Sequence, residues 1–180
     1  KASVRPDLKS GPTHIRARIA NPAQRRSAHL TMDLTTETQQ NTALHFEFEV
    51  HSGDFAKAGD ASSRVKKVLQ QIGADPNVVR RVSIACYEAE MNVVIHAHGG
   101  MVVLDADIER ILIVVSDNGP GIEDIDRAMT PGFSTAPDSI REMGFGAGMG
   151  LPNMRNCSTD FSITSRKDVG TTVTMVFQNA

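Results

Sequence analysis

Glu88 and Asn92 stand at i and i+4 in a stretch with helical periodicity, so their side chains share one face, and His96 continues the row. Their neighbours on that side are Ile84, Ala85, Met91 and Ile95. A carboxylate and an amide in so apolar a setting are costly to bury unless something pairs with them. A satisfied core pair, or a charge favourable to the helix dipole, is the competing account. Glu90 falls on a different face and reads as solvated. A second group, Asp117-Asn118-Gly119-Pro120-Gly121-Ile122, follows a strongly apolar run. A carboxylate at a strand end can accept a hydrogen bond from an exocyclic amine, and glycines let the backbone pass close to a flat ring. An ordinary Asn-Gly-Pro-Gly turn explains the same letters. The third group, Gly144-Phe145-Gly146-Ala147-Gly148-Met149-Gly150, runs into Leu151-Pro152. Alternate glycines expose backbone N–H groups, and Pro152 suits the first turn of a helix, whose positive end seats phosphate. A hinge is the alternative there. Gly170-Thr171-Thr172 opens the last strand and is explained by turn chemistry alone.

The elements that must carry these groups are legible from their periods. Leu44–Val50 alternates Leu44, Phe46, Phe48 and Val50 against His45, Glu47 and Glu49, the pattern of a half-buried strand. Residues 58–72 place Val65, Val68, Leu69 and Ile72 at helical spacing and stop at Gly73. Asp75-Pro76 supplies an N-cap and a first-turn proline for a long helix to about His98, ended by Gly99-Gly100. Residues 101–106 and 110–116 read as paired strands joined by a hairpin-length link. A short helix near 152–157 and strands at 161–165 and 171–177 complete the order. Strands and helices do not alternate strictly, so a mostly antiparallel sheet with helices on one face is expected.

Composition narrows the classes. The 180 residues carry 19 basic and 21 acidic side chains, for a formal charge of -2, which gives no reason to expect a nucleic-acid or polybasic membrane surface. No apolar run approaches the roughly 20 residues a bilayer crossing needs. Cys86 and Cys157 lack zinc or disulfide spacing and read as free buried thiols, which suggests the cytoplasm. His96 and His98, at i and i+2, face apart, so a metal role for His98 is disfavoured. Residues 1–41 mix prolines and arginines without a sustained apolar period. They read as a poorly ordered tail, linker or tag-derived segment, with one domain over 42–180. Their arginines could touch nucleic acid, but a solvated tail is the simpler account. The preceding residues 139–143 are no strand and no G-x-x-x-x-G-K-[ST] occurs, so neither a Rossmann turn nor a P-loop is present.

Taken together, E-x-x-x-N on a helix, D-x-G-x-G-I after a strand, G-x-G-x-G-L before a helix and G-T before a strand resemble the ordered boxes of one ATPase superfamily. It is the GHKL superfamily of gyrase, heat-shock chaperone ATPases, histidine kinases and MutL. Within it, Tyr87-Glu88-Ala89-Glu90-Met91-Asn92-Val93-Val94-Ile95-His96-Ala97 is similar to the helix of the bacterial anti-sigma-factor serine kinases. The stretch from Ala147 to Pro152 is closer to a switch-kinase subset than to the sigma-binding members. The resemblance implies an α+β, two-layer ATP-binding sandwich of the Bergerat type. It further implies Mg²⁺ and ATP as cofactors, with Glu88 as the base, Asn92 as the protein ligand of Mg²⁺ and His96 beside it. Asp117 would partner the adenine amine, with Gly119, Gly121 and Ile122 at the ring and Thr171 supporting it through water. Gly144, Gly146, Gly148, Met149, Gly150 and Leu151 would line the phosphates. Residues 123–143 would form a lid offering Arg141 to the terminal phosphates. The implied activity is phosphorylation of a small antagonist protein on serine or threonine, by a homodimer that in some relatives also holds a sigma factor. A non-catalytic ATP-gated binding module is the rival. A detached histidine-kinase half would need a phospho-accepting histidine, for which His14 and His29 are poorly placed.

Overall fold

A computed structural model describes residues 44–179; the expectations for residues 1–41 lie outside them. Five strands form one sheet: β1 (Leu44–Val50), β2 (Gly100–Ala106), β3 (Arg110–Asp117), β4 (Asp160–Arg166) and β5 (Gly170–Gln178). Their spatial order is β1-β2-β3-β5-β4, and all four pairings are antiparallel. The expected two-layer α+β sandwich is found.

Alternation decides which face is covered. Phe48, Val102, Val115, Val173 and Ile163 stand in register across the sheet, and the first four are buried. They share one core with side chains of α1 (Asp60–Gln71), α2 (Pro76–His96) and α5 (Gly150–Cys157), so these three helices make the second layer. Each fully buried aliphatic or aromatic side chain there contributes about 1.5–3 kcal/mol. Two short helices, α3 (Ile125–Ala128) and α4 (Asp138–Glu142), interrupt the segment read from sequence only as glycine- and proline-punctuated.

The central helix α2 starts where its letters place it. Asp75 accepts hydrogen bonds from Asn77 N at 2.8 Å and Val78 N at 3.2 Å, with Pro76 in the first turn. It stops at Ala97, whose backbone is extended. Helix α1 has a different start. Its N-cap, Gly59, supplies no side chain, and Glu90 of α2 does the capping instead. Glu90 accepts from Gly59 N at 3.0 Å, Ala61 N at 3.1 Å and Ser62 N at 2.9 Å, and it is 2% exposed. The solvated reading of Glu90 is therefore wrong: the face it lies on is not open but covered by α1. Of the two cysteines, only Cys86 is fully buried; Cys157 at the end of α5 is half-buried. Burial pushes both thiols up.

Candidate nucleotide-binding site

The polar row of α2 meets the start of α5. A Cβ built on Gly150, the first residue of α5, would lie 3.3 Å from Asn92 Oδ1 and 3.4 Å from Glu88 Oε2. Residues distant in sequence thus share one small space, which a side chain at position 150 would narrow. Glu88 is half-buried and accepts a hydrogen bond at 2.8 Å from Asn153 Nδ2 of α5. Asn92 is half-buried, and its amide makes no hydrogen bond among the described residues. A half-buried carboxamide with no protein partner, beside a carboxylate and a glycine, keeps its hydrogen-bonding capacity for solvent or a ligand. His96, next in the row, is half-buried; desolvation lowers its pKa while the Asp117 charge opposes the shift. Its ring therefore lies within reach of the Asp117 charge.

Asp117 ends β3, and its Oδ1 accepts from Gly119 N at 2.7 Å and Thr171 N at 3.3 Å. Its second oxygen has no hydrogen bond among the described residues and remains available to an amine. The fold keeps this corner tight through glycine. Gly121 has φ 74, and a side chain there would run into the carbonyl of Arg166. Ile122 N donates to Ser165 Oγ at 2.7 Å, and that hydroxyl lies 2.8 Å from Thr171 Oγ1. Ser165 carries no signal in the sequence, because a serine in a strand means nothing until β4 is laid beside β5. The same holds for Asn153, three residues past the glycine run, which gains meaning only when α5 is laid on α2.

The glycine segment is packed rather than free. Gly132 N donates to Gly148 O at 2.9 Å, and Cβ positions on Gly146 and Gly148 would meet Ala136 and the Gly132–Phe133 backbone. Gly144 has open space around it, and Met149 is the exposed N-cap of α5, with Leu151 buried behind it. Phe145 stacks on Phe55 of the loop before α1, with ring centroids 5.9 Å apart. Helix α5 begins at Gly150, so Pro152 is its third residue and still within the first turn. Arg141 is brought only to partners in its own segment: it donates to Ser134 O at 3.1 Å and lies 3.7 Å from Asp138. At the start of residues 123–143 stands an exposed ion pair of Glu123 with Lys167, each shifting the other toward its charged form.

Among the described residues no group of three His, Cys, Asp or Glu could hold a metal, and no helix is long and apolar enough to cross a membrane. A metal at Asn92 would therefore be one that takes most of its oxygens from phosphate and water. Mg²⁺ behaves in that way.

An antiparallel sheet backed by three helices, with a polar helix face, a strand-end carboxylate and a glycine-led helix converging at one end, defines an ATP-binding class of domain. The histidine kinase-like ATPase domain matches residues 52–177, and this chain belongs to that family. It is 37% identical over 139 residues to the anti-sigma F factor of Heyndrickxia coagulans, covering 72% of this chain and 86% of that one. The anti-sigma F factor of Clostridium novyi is 32% identical over 117 residues, 62% of this chain and 78% of its own length. Serine/threonine-protein kinase RsbT of Bacillus subtilis is 29% identical over 112 residues, 60% of this chain and 78% of that one. A crystal structure of the RsbU and RsbW domains of a Mycobacterium tuberculosis protein overlaps 73% of this chain and 32% of that chain. At 17% identity and a TM-score of 0.47, that overlap is too loose to bear on the fold.

Proposed function

We propose that this chain is a Mg-ATP-dependent protein serine/threonine kinase of the anti-sigma regulatory type, acting on a small antagonist protein. The observation that carries the reading is the meeting of Glu88, Asn92 and Gly150. A base, an oxygen ligand and the amide-rich start of a helix stand together where a terminal phosphate would need them. The relatives named for anti-sigma and serine/threonine kinase activity supply the substrate class.

In this reading Asp117, with its free oxygen, accepts from the adenine amine. Gly119, Gly121 and Ile122 flank the ring, and Thr171 supports it with Ser165. The segment from Gly144 to Leu151 lines the phosphates, its amides from Gly146 onward serving them because Gly144 N and Phe145 N already donate to Arg141 O and Ile140 O. Arg141 turns from Ser134 and Asp138 toward the terminal phosphate. Mg²⁺ held by the triphosphate would take Asn92 Oδ1 and neutralise phosphate charge. Glu88 removes the proton of the partner's serine hydroxyl. That oxygen then forms its bond to the γ-phosphorus as the bond to the ADP oxygen breaks. Little else is asked of side chains, because phosphoryl transfer depends mainly on positioning and charge neutralisation. A second copy of the chain is proposed to join at β1, which is an edge strand, and the neighbouring α1.

Calorimetry of Mg-ATP binding tests the site. Asp117→Asn turns an acceptor into a donor facing the adenine amine and should weaken binding by roughly 100-fold. Asn92→Ala should remove the dependence on Mg²⁺. Transfer of label from the γ-phosphate to a serine of an antagonist protein tests the activity, and unaltered affinity in both variants would overturn the site assignment.

One observation favours a second use of the same pocket. The Phe55–Phe145 stack joins the glycine segment to the loop leading into α1. Nucleotide that orders the segment would be felt at α1, gating a partner surface without turnover. Nucleotide-dependent capture of the antagonist by a chain that forms no ADP would favour that reading.

A further inference from the structure

A glutamate has three side-chain torsions, so a base is only as good as the contacts that aim it. Glu88 has one such contact among the described residues, the hydrogen bond from Asn153 Nδ2 to Oε1. An ionised carboxylate can only accept, so the amide must present its NH₂ group here. Holding Oε1 leaves Oε2 as the working oxygen. That oxygen is the one 3.4 Å from the Cβ position of Gly150, toward the phosphate seat.

We propose that Asn153 is the positioning residue of this site, turning Glu88 Oε2 toward the terminal phosphate; the inference rests on the reading of Glu88 as the base. Its place in the fold gives the contact a further meaning. Asn153 lies on α5, whose first residue is Gly150, and its own N–H donates to Met149 O at 2.9 Å. Leu151 and Met154, on either side of it, are buried in the core shared with α2. The phosphate-facing amides and the hand on the base are therefore parts of one short rigid body. The contact is already made, so α5 carries the phosphate seat and the aim of Glu88 as one preset arrangement. A kinase built this way has its base already directed at the place the triphosphate will take.

A purely structural asparagine and a positioning one differ in what they do without Glu88. Asn153→Leu keeps the volume and loses the donor; Asn153→Gln restores a donor. In single-turnover formation of ADP from Mg-ATP, Asn153→Leu should lower the rate by about 10- to 100-fold with KM for ATP unchanged. Asn153→Gln should recover part of the loss. In a Glu88→Ala background, Asn153→Leu should cause no further loss, because there is no carboxylate left to aim. In nucleotide-free protein, the Asn153 side-chain amide resonance should move on Glu88→Ala.

An Asn153→Leu loss of equal size with and without Glu88, a rise in KM alone, or an amide signal indifferent to Glu88 would overturn the positioning role. If Glu88→Ala retains full turnover, the base reading falls and this inference with it. If Glu88→Ala is inactive and Asn153→Leu is fully active, only this inference falls.

Discussion

Two glutamates on α2, Glu88 and Glu90, meet opposite fates. Glu90 is sealed at 2% exposure, with three backbone N–H donors around it. Glu88 stays half-buried with one side-chain donor and an oxygen to spare. A carboxylate whose acceptor sites are filled by main chain is a fastening. One left partly unsatisfied at a cleft is available for chemistry. The same residue type on the same helix is thus fully satisfied by main chain in one place and left with spare acceptor capacity in the other.

The contrast can be broken from either side. The largest effect expected is on turnover: Glu88→Ala should cost about 10²–10⁴ in ADP formation while moving the unfolding free energy by less than about 1 kcal/mol. Glu90→Ala should do the reverse. Stranding the amides of Gly59, Ala61 and Ser62 should lower stability in urea by about 3 kcal/mol or more, and the folded fraction should still bind Mg-ATP. If Glu90→Ala is stable and inactive, the assignment of the two residues is the wrong way round. Gly150→Val places a branched side chain against Asn92 and Glu88. It should weaken Mg-ATP binding about tenfold, or ~1.4 kcal/mol, in calorimetry.

The smallest effect concerns a polar cluster of a third kind, on the strands. His45 Nδ1 lies 2.5 Å from Asp105 and Nε2 3.2 Å from Glu47. The Asp105 hydrogen bond first, and that of Glu47 next, raise the His45 pKa above its ordinary 6.5. A raised value in the folded state means stabilisation that is fully present below about pH 6.5 and lost as pH climbs through the folded pKa. Both side chains are about a third or more exposed, at 34% and 41%, so the gain should not exceed about 1 kcal/mol. Thermal melts at pH 6 and pH 8.5 should show the difference, and His45→Gln should remove it.

Much of this was readable in the letters. Alternation located β1, an apolar run located β3, Asp75-Pro76 located the start of α2, and the i, i+4 pair Glu88 and Asn92 both face Gly150. Asp117 and Thr171 meet through a hydrogen bond, and Gly121 packs against the Arg166 backbone beside them. Glu90 was misread because a helical period gives an angle, not what packs at that angle. Its partners lie 28–31 residues away, and they are main-chain amides, which every residue type but proline offers. Helices α3 and α4 were missed because each is too short to show a period. Asp124, accepting from Arg127 N at 2.9 Å, was the one local signal for α3. Asn153 and Ser165 are informative only once α5 lies on α2 and β4 on β5.

The sheet's register has a consequence for how such a domain can be housed. Leu44 pairs with Ala106, and Arg110 pairs with Gln178, so both ends of the described segment emerge beside the β2–β3 hairpin. Asp117 is at the far end, opposite Gly100. A strand of this length separates the two by roughly 20 Å. Both connections to flanking sequence are therefore made at the end of the sheet remote from Asp117, which makes the fold a cassette that longer architectures can carry.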